Sequence, residues 1–277
     1  MQYEAPKFNE KDNPNIPHDT NHWRELRTML VYLAITVAAV WALIEAIVQT
    51  LPYTVSLPRE KQWFGFVGKE IAAGQNAHPD PKITALATRL GKRMNLPDTL
   101  ITVYISEEAV PNAYATFGGN VVLYRSLLNE LPSEEAVATV LAHEMAHIKH
   151  RDPLRSMSRG VLYSAVAALF GSETQMHALA GIGSLKYSRD MERAADSAAI
   201  EAVAQEYGSV GGAVQLFDAL EKVQQKYHAG NGIAWLSTHP DTRERQANVA
   251  RIAKQSGFPS TATKLPNIWQ SKQPDAP

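Results

Sequence analysis

Cysteine is absent from this 277-residue chain. That excludes thiol nucleophiles, disulfide cross-links and zinc–thiolate knuckles, so any metal must be held by nitrogen and oxygen. An excess of charge of one sign is also missing: 27 basic against 28 acidic side chains leave a net charge of -1. A nucleic-acid-binding surface needs a basic excess, and no nucleic-acid partner is expected. Neither an internal repeat nor a glycine-rich phosphate loop is found. What remains is enough chain to bury the core of a domain of about 200 residues once the ends are set aside.

A long apolar run is present. Met29 to Val48 (MLVYLAITVAAVWALIEAIV) carries Glu45 as its one charge, and roughly 20 such residues cross a bilayer as a helix. Trp23 and Tyr53 stand where interfacial aromatics belong, and Pro52 and Pro58 are expected to stop the helix. This organisation predicts a polar lead over 1–28, a single transmembrane anchor over 29–51, a main domain over 60–257 and a C-terminal tail over 258–277. Lys7, Lys11, Arg24 and Arg27 precede the run, while Arg59, Lys61 and Lys69 follow it. That slight excess places the N-terminus in the cytoplasm and the main domain outside it, on the periplasmic side. The stretches Gly160–Phe170 and Ala178–Leu185 are too short to span and read as packed helix, with contact at the membrane surface or a re-entrant piece as the alternative.

The main domain reads as α+β and mainly helical. Ile83, Leu86 and Leu90 recur at helical spacing between Pro81 and Met94, whereas Leu100–Ile105 (LITVYI) is rich in strand formers. "NAYATF" and "NVVLYR" flank Gly118-Gly119 as a hairpin. Ser133 is a good N-cap for a helix whose first turn holds Glu134 and Glu135. Later helices are expected near 153–170, 184–206, 210–228 and 240–255.

That Ser133 helix carries "LAHEMAHIKH". Residues four apart share a helix face, so His143 and His147 can aim two imidazoles at one metal ion. Glu144 can reach a water on that ion as general base, the H-E-x-x-H arrangement. A catalytic zinc needs a third protein ligand. The extension H-E-x-x-H-x-x-G-x-x-H fails, because His150 and Pro153 occupy the glycine and histidine positions. "SRDMERAAD" supplies the alternative: Glu192 as third ligand, with Asp196 on the same face to accept the outer N–H of a ligand histidine. By itself that pair also reads as a solvated face matched by Arg189 and Arg193. His150 is expected outside the clamp.

Four ordered blocks, "NAYATFGGNVVLYRSLL", "EEAVATVLAHEMAHIKHRD", "SRDMERAADSAAI" and "STHPDTRERQANV", resemble the HtpX-type zinc metallopeptidases. These are membrane-associated gluzincins grouped with the CAAX prenyl endopeptidases and membrane quality-control peptidases. The resemblance covers roughly residues 60–255. It implies a zincin-type domain with a small sheet, one Zn2+ per chain on His143, His147 and Glu192, Glu144 as base and Asp196 behind a ligand. It further implies that Asn112 and Ala113 lie on an edge strand that receives substrate backbone. His239 and Arg245 would stand near the zinc, where His239 steadies an oxyanion or fills the open metal position at rest and Arg245 orients it. The expected activity is a membrane-anchored zinc metalloendopeptidase acting on misfolded, membrane or envelope polypeptides. Two alternatives stay open: a membrane-tethered chaperone or assembly factor with a plugged or structural zinc, and a specific processing protease.

Overall fold

The computed structural model describes residues 21–156, 187–226, 234–239 and 242–270. The chain divides into two units, Met1–Ile47 and Val48–Pro277. Helix α1 (His22–Thr54) begins inside the stretch expected to be polar lead. It contains a 26-residue segment, His22–Ile47, with an 18-residue window of mean hydropathy 2.2, long and apolar enough to cross a membrane. Contrary to expectation α1 runs through Pro52, and Pro58 falls in the first turn of α2 (Leu57–Phe64). A proline there loses no bond, since first-turn N–H groups have no intrahelical acceptor.

The second unit is mostly helical around a small mixed sheet. After α3 (Phe66–Gly74) come β1 (Ala77–Pro79) and α4 (Pro81–Arg93), capped by the Asp80 carboxylate, which accepts from the Ile83 N–H. Then follow β2 (Thr102–Ser106), β3 (Ala113–Thr116) and β4 (Asn120–Tyr124). The strand order is β1-β2-β4-β3, with β2 parallel to β4 and the other pairs antiparallel. The expected hairpin is present, and β3 is the terminal strand. Gly118 (φ 77) and Gly119 (φ 74) make its turn in the left-handed region that glycine tolerates.

Helix α5 (Arg125–Glu130) precedes α6 (Glu134–His150), whose N-cap Ser133 accepts from the Ala136 N–H at 3.1 Å. Nearly all of α6 from Glu135 to Ile148 is buried. A helix covered on every side needs small and apolar residues all round, and Ala136, Ala138, Ala142 and Ala146 admit neighbours closely. Those neighbours are α4, β3, α7 (Arg189–Tyr207) and α8 (Gly211–Lys226). The short α9 (Ala234–Thr238) and α10 (Thr242–Ser256) are the last helices among the described residues. The apolar stretches at 160–170 and 178–185 lie outside the described residues, as does most of the helix expected over 153–170.

The segment expected to be a C-terminal tail packs against the domain as far as Gln270. The Asn267 amide donates to the carbonyls of Leu128 and Leu131, the Thr263 N–H donates to Glu135 Oε1 at 2.6 Å, and Trp269 is buried. Side-chain and backbone hydrogen bonds fasten it without any periodic apolar pattern.

Candidate metal centre

Helix α6 delivers His143 and His147, α7 delivers Glu192 four residues before Asp196, and the residue after α9 is His239. The four groups His143, His147, Glu192 and His239 converge, with one ligand atom from each lying within 4.8 Å of the others. His143 Nε2 stands 3.1 Å from His147 Nε2, 3.2 Å from His239 Nδ1 and 3.4 Å from Glu192 Oε2. Glu192 Oε1 is 2.8 Å from His239 Nδ1 and 3.6 Å from His147 Nε2. All four residues are buried.

The outer ring atoms are held by carboxylates. Asp196 Oδ1 lies 3.0 Å from His143 Nδ1, and Asp152 Oδ2 lies 2.9 Å from His147 Nδ1. Each carboxylate can only accept, so both Nδ1 atoms donate and both Nε2 lone pairs turn inward. Two lone pairs 3.1 Å apart repel unless a cation or proton lies between them. Donors about 2.0–2.1 Å from a tetrahedral zinc stand roughly 3.3 Å from each other, close to the observed spacings. The donor set, nitrogen and oxygen without sulfur, therefore fits a divalent zinc.

Electrostatics agree. Burial and the neighbouring Arg245 charge pull the His143 imidazole down, but its hydrogen bonds to Asp196 and Glu192 prevail and hold it up at about 9. Burial takes His147 down to about 3 despite Asp152. Burial would raise Glu192, yet hydrogen bonds from His143 and His239 hold it well below the usual carboxylate range. Asp196, likewise raised by burial, is brought to about 2 by Arg245 and His143. Two ionised carboxylates thus face one guanidinium, and the cluster favours added positive charge.

Glu144 is fully buried, with Oε1 accepting from the Trp235 indole N–H at 2.9 Å and standing 3.5 Å from His239 Nε2. Among the described residues its Oε2 has no hydrogen-bond partner, nor do Glu192 Oε2 and His239 Nε2. Arg245 forks onto Asp196, with Nε–Oδ2 and Nη2–Oδ1 both 2.7 Å, and lies over the rings of Trp235 (4.9 Å) and Phe217 (5.2 Å). Its Nη1 donates weakly to the His239 carbonyl at 3.5 Å. Asn112 and Ala113 are buried at the start of β3 beside α6 and are not members of the four-residue group. His150 is also outside that group.

Three neighbours escaped the sequence reading. Asp152 follows the end of α6, where no helical spacing points to it. Trp235 caps Glu144 through tertiary packing alone. Tyr187 stacks on His147 with centroids 4.0 Å apart and planes 16° from parallel. An acidic residue five positions beyond His147 was the one available signal.

The paired histidines and intervening glutamate of one helix, joined by a carboxylate from a second helix beside a small sheet, form a group suited to holding a metal ion. The chain belongs to Peptidase family M48, whose profile matches residues 77–253. It is similar to the beta-barrel assembly-enhancing protease of Escherichia coli (strain K12), 28% identical over 223 residues, covering 73% of this chain and 45% of that protein. It is also similar to the mitochondrial metalloendopeptidase OMA1 of Saccharomyces cerevisiae, 28% identical over 150 residues, covering 52% and 44%. A protease HtpX homolog of Ralstonia nicotianae is 29% identical over 223 residues, covering 65% and 77%. The chain spans less than half the length of the first two relatives.

Proposed function

We propose that this chain is a membrane-anchored, zinc-dependent metalloendopeptidase that hydrolyses peptide bonds in misfolded or envelope polypeptides. The observation that carries the reading is the inward convergence of His143 Nε2, His147 Nε2 and the Glu192 carboxylate beside the unpartnered Oε2 of Glu144. His143, His147 and Glu192 would hold one zinc ion, which when bound acidifies a water and polarises the scissile carbonyl. Glu144 Oε2 takes the proton of the attacking water and returns it to the leaving amine. His239 donates from its imidazole toward the developing oxyanion, and Arg245, through Asp196, keeps His143 in the required tautomer. Substrate adds as a strand along β3, with Asn112 and Ala113 near the scissile bond, a mode that asks little of substrate sequence. The similarity to a beta-barrel assembly-enhancing protease supports an envelope setting, and on this reading the domain lies on the periplasmic side.

In this arrangement the machinery is closed. His239 Nδ1 fills a position in the donor cluster, Trp235 covers Glu144 Oε1, and all four residues of β3 are buried. Turnover on this reading requires His239 and Trp235 to withdraw. The test is Glu144→Gln: peptide hydrolysis should fall by about 10²–10⁴-fold with zinc still bound. Wild-type turnover would end the proposal. The closed cluster also favours a second reading, a membrane-tethered assembly factor with a plugged zinc. His239→Ala protein that binds zinc yet leaves unfolded envelope substrates intact would favour it.

A further inference from the structure

The end of α6 contains a charged pair that the proposed chemistry does not use. Arg151 occupies the C-cap position at φ 66, ψ 23, a left-handed conformation that glycine commonly supplies. Its guanidinium reaches back to the segment after α1 through two contacts, while its Nε has no hydrogen-bond partner among the described residues. Arg151 Nη1 lies 3.0 Å from Glu60 Oε2, and Nη2 donates to the Val55 carbonyl. Both Arg151 and Glu60 are buried. Glu60 Oε1 in turn accepts from the Gly118 N–H at 2.9 Å, in the turn behind β3. A Cβ on Gly118 would stand 2.6 Å from the Phe64 carbonyl, so α2 and that turn are in direct backbone contact.

The residue immediately after this cap is Asp152, whose Oδ2 lies 2.9 Å from His147 Nδ1. The left-handed step at 151 reverses the chain so that a side chain just past the helix returns to one inside it. We propose that Arg151, clamped by Glu60, is a positioning residue that holds Asp152 against His147 and so fixes the ring with Nε2 facing the cluster. The same clamp joins the metal-holding helix to the segment following α1 and to the turn behind the edge strand.

The proposal rests on His147 being a metal ligand, and its test reads metal retention as well as activity. Full-length, zinc-loaded protein in detergent is mixed with a chromogenic chelator, and zinc release is timed alongside thermal unfolding. Arg151→Gly removes the guanidinium while relaxing the backbone, so a mere capping role predicts release no faster than wild type. The positioning role predicts release about tenfold faster or more, the usual consequence of losing the partner of a metal-bound histidine. Glu60→Gln should shift release the same way, and Arg151→Lys should recover part of the loss. Ile83→Ala, in the apolar core, should lower thermal stability without speeding release. The proposal is overturned if Arg151→Gly and Glu60→Gln release zinc at the wild-type rate, or if Ile83→Ala releases it equally fast. Should Arg151→Gly not fold, Glu60→Gln decides alone. Wild-type retention in His147→Ala would instead overturn the metal-site reading beneath it.

Discussion

Replacing Arg245 by Met should damage the protein before any chemistry is measured. The guanidinium gives Asp196 two bonds of 2.7 Å, and both side chains are buried. Without it, Asp196 retains one partner, the His143 N–H at 3.0 Å, and lies beside the Glu192 carboxylate. Removing one member of a buried ion pair costs about 3–5 kcal/mol, chiefly because the other charge is stranded. For a domain of this size each kcal/mol lowers the melting temperature by about 2–4 °C, so Arg245→Met should melt about 6–20 °C lower in the zinc-free protein. The pH dependence has a defined sign. The folded-state pKa of Asp196 falls from 3.8 to about 2, so its stabilisation is complete above pH 3.8 and is lost as the pH drops toward 2. The gap between wild type and Arg245→Met should narrow across that window. Adding Asp196→Asn removes the stranded charge and should restore part of the loss. Scanning fluorimetry of the single and double variants decides it. A single variant within about 1 kcal/mol of wild type, or a double variant less stable than the single, would refute the reasoning.

Trp235→Phe takes the indole donor from Glu144 Oε1 and leaves the buried carboxylate without that hydrogen bond, at about 1–3 kcal/mol. The closed arrangement should weaken, and casein hydrolysis by the zinc-loaded protein should rise. Trp269→Ala should cost about 3–5 kcal/mol in urea unfolding, because Trp269 is 4% exposed in a segment that reads as a tail. Zinc must displace a proton from His143, whose pKa is held up at about 9, so apparent zinc affinity in chelator competition should climb with pH and level off above that value.

The parts of this protein legible in its sequence are those that repeat with a period. His143 and His147, and Glu192 and Asp196, are each four residues apart on helices, so spacing alone puts each pair on one face. The hairpin was legible because Gly118 and Gly119 interrupt two runs of strand formers. His239 and Arg245 needed the family resemblance, since neither has a periodic relation to the ligand helices. Asp152 was hidden by a left-handed step at an arginine, where the usual signal is glycine. β1 has three residues, one of them Pro79, and is too short to alternate. The strap from Phe258 to Gln270 carries two prolines and polar residues, and its hold on the domain comes from Asn267 and Thr263, whose partners are more than a hundred residues away.

The central claim is that two helices present an imidazole pair and a carboxylate to one divalent ion. Elemental analysis of the purified, zinc-equilibrated full-length chain, beside Glu192→Ala, tests it most directly. The account predicts one tightly held zinc per chain in the wild type and its loss in the variant. Folded wild-type protein holding no stoichiometric zinc, or a variant that keeps it as tightly, would contradict it.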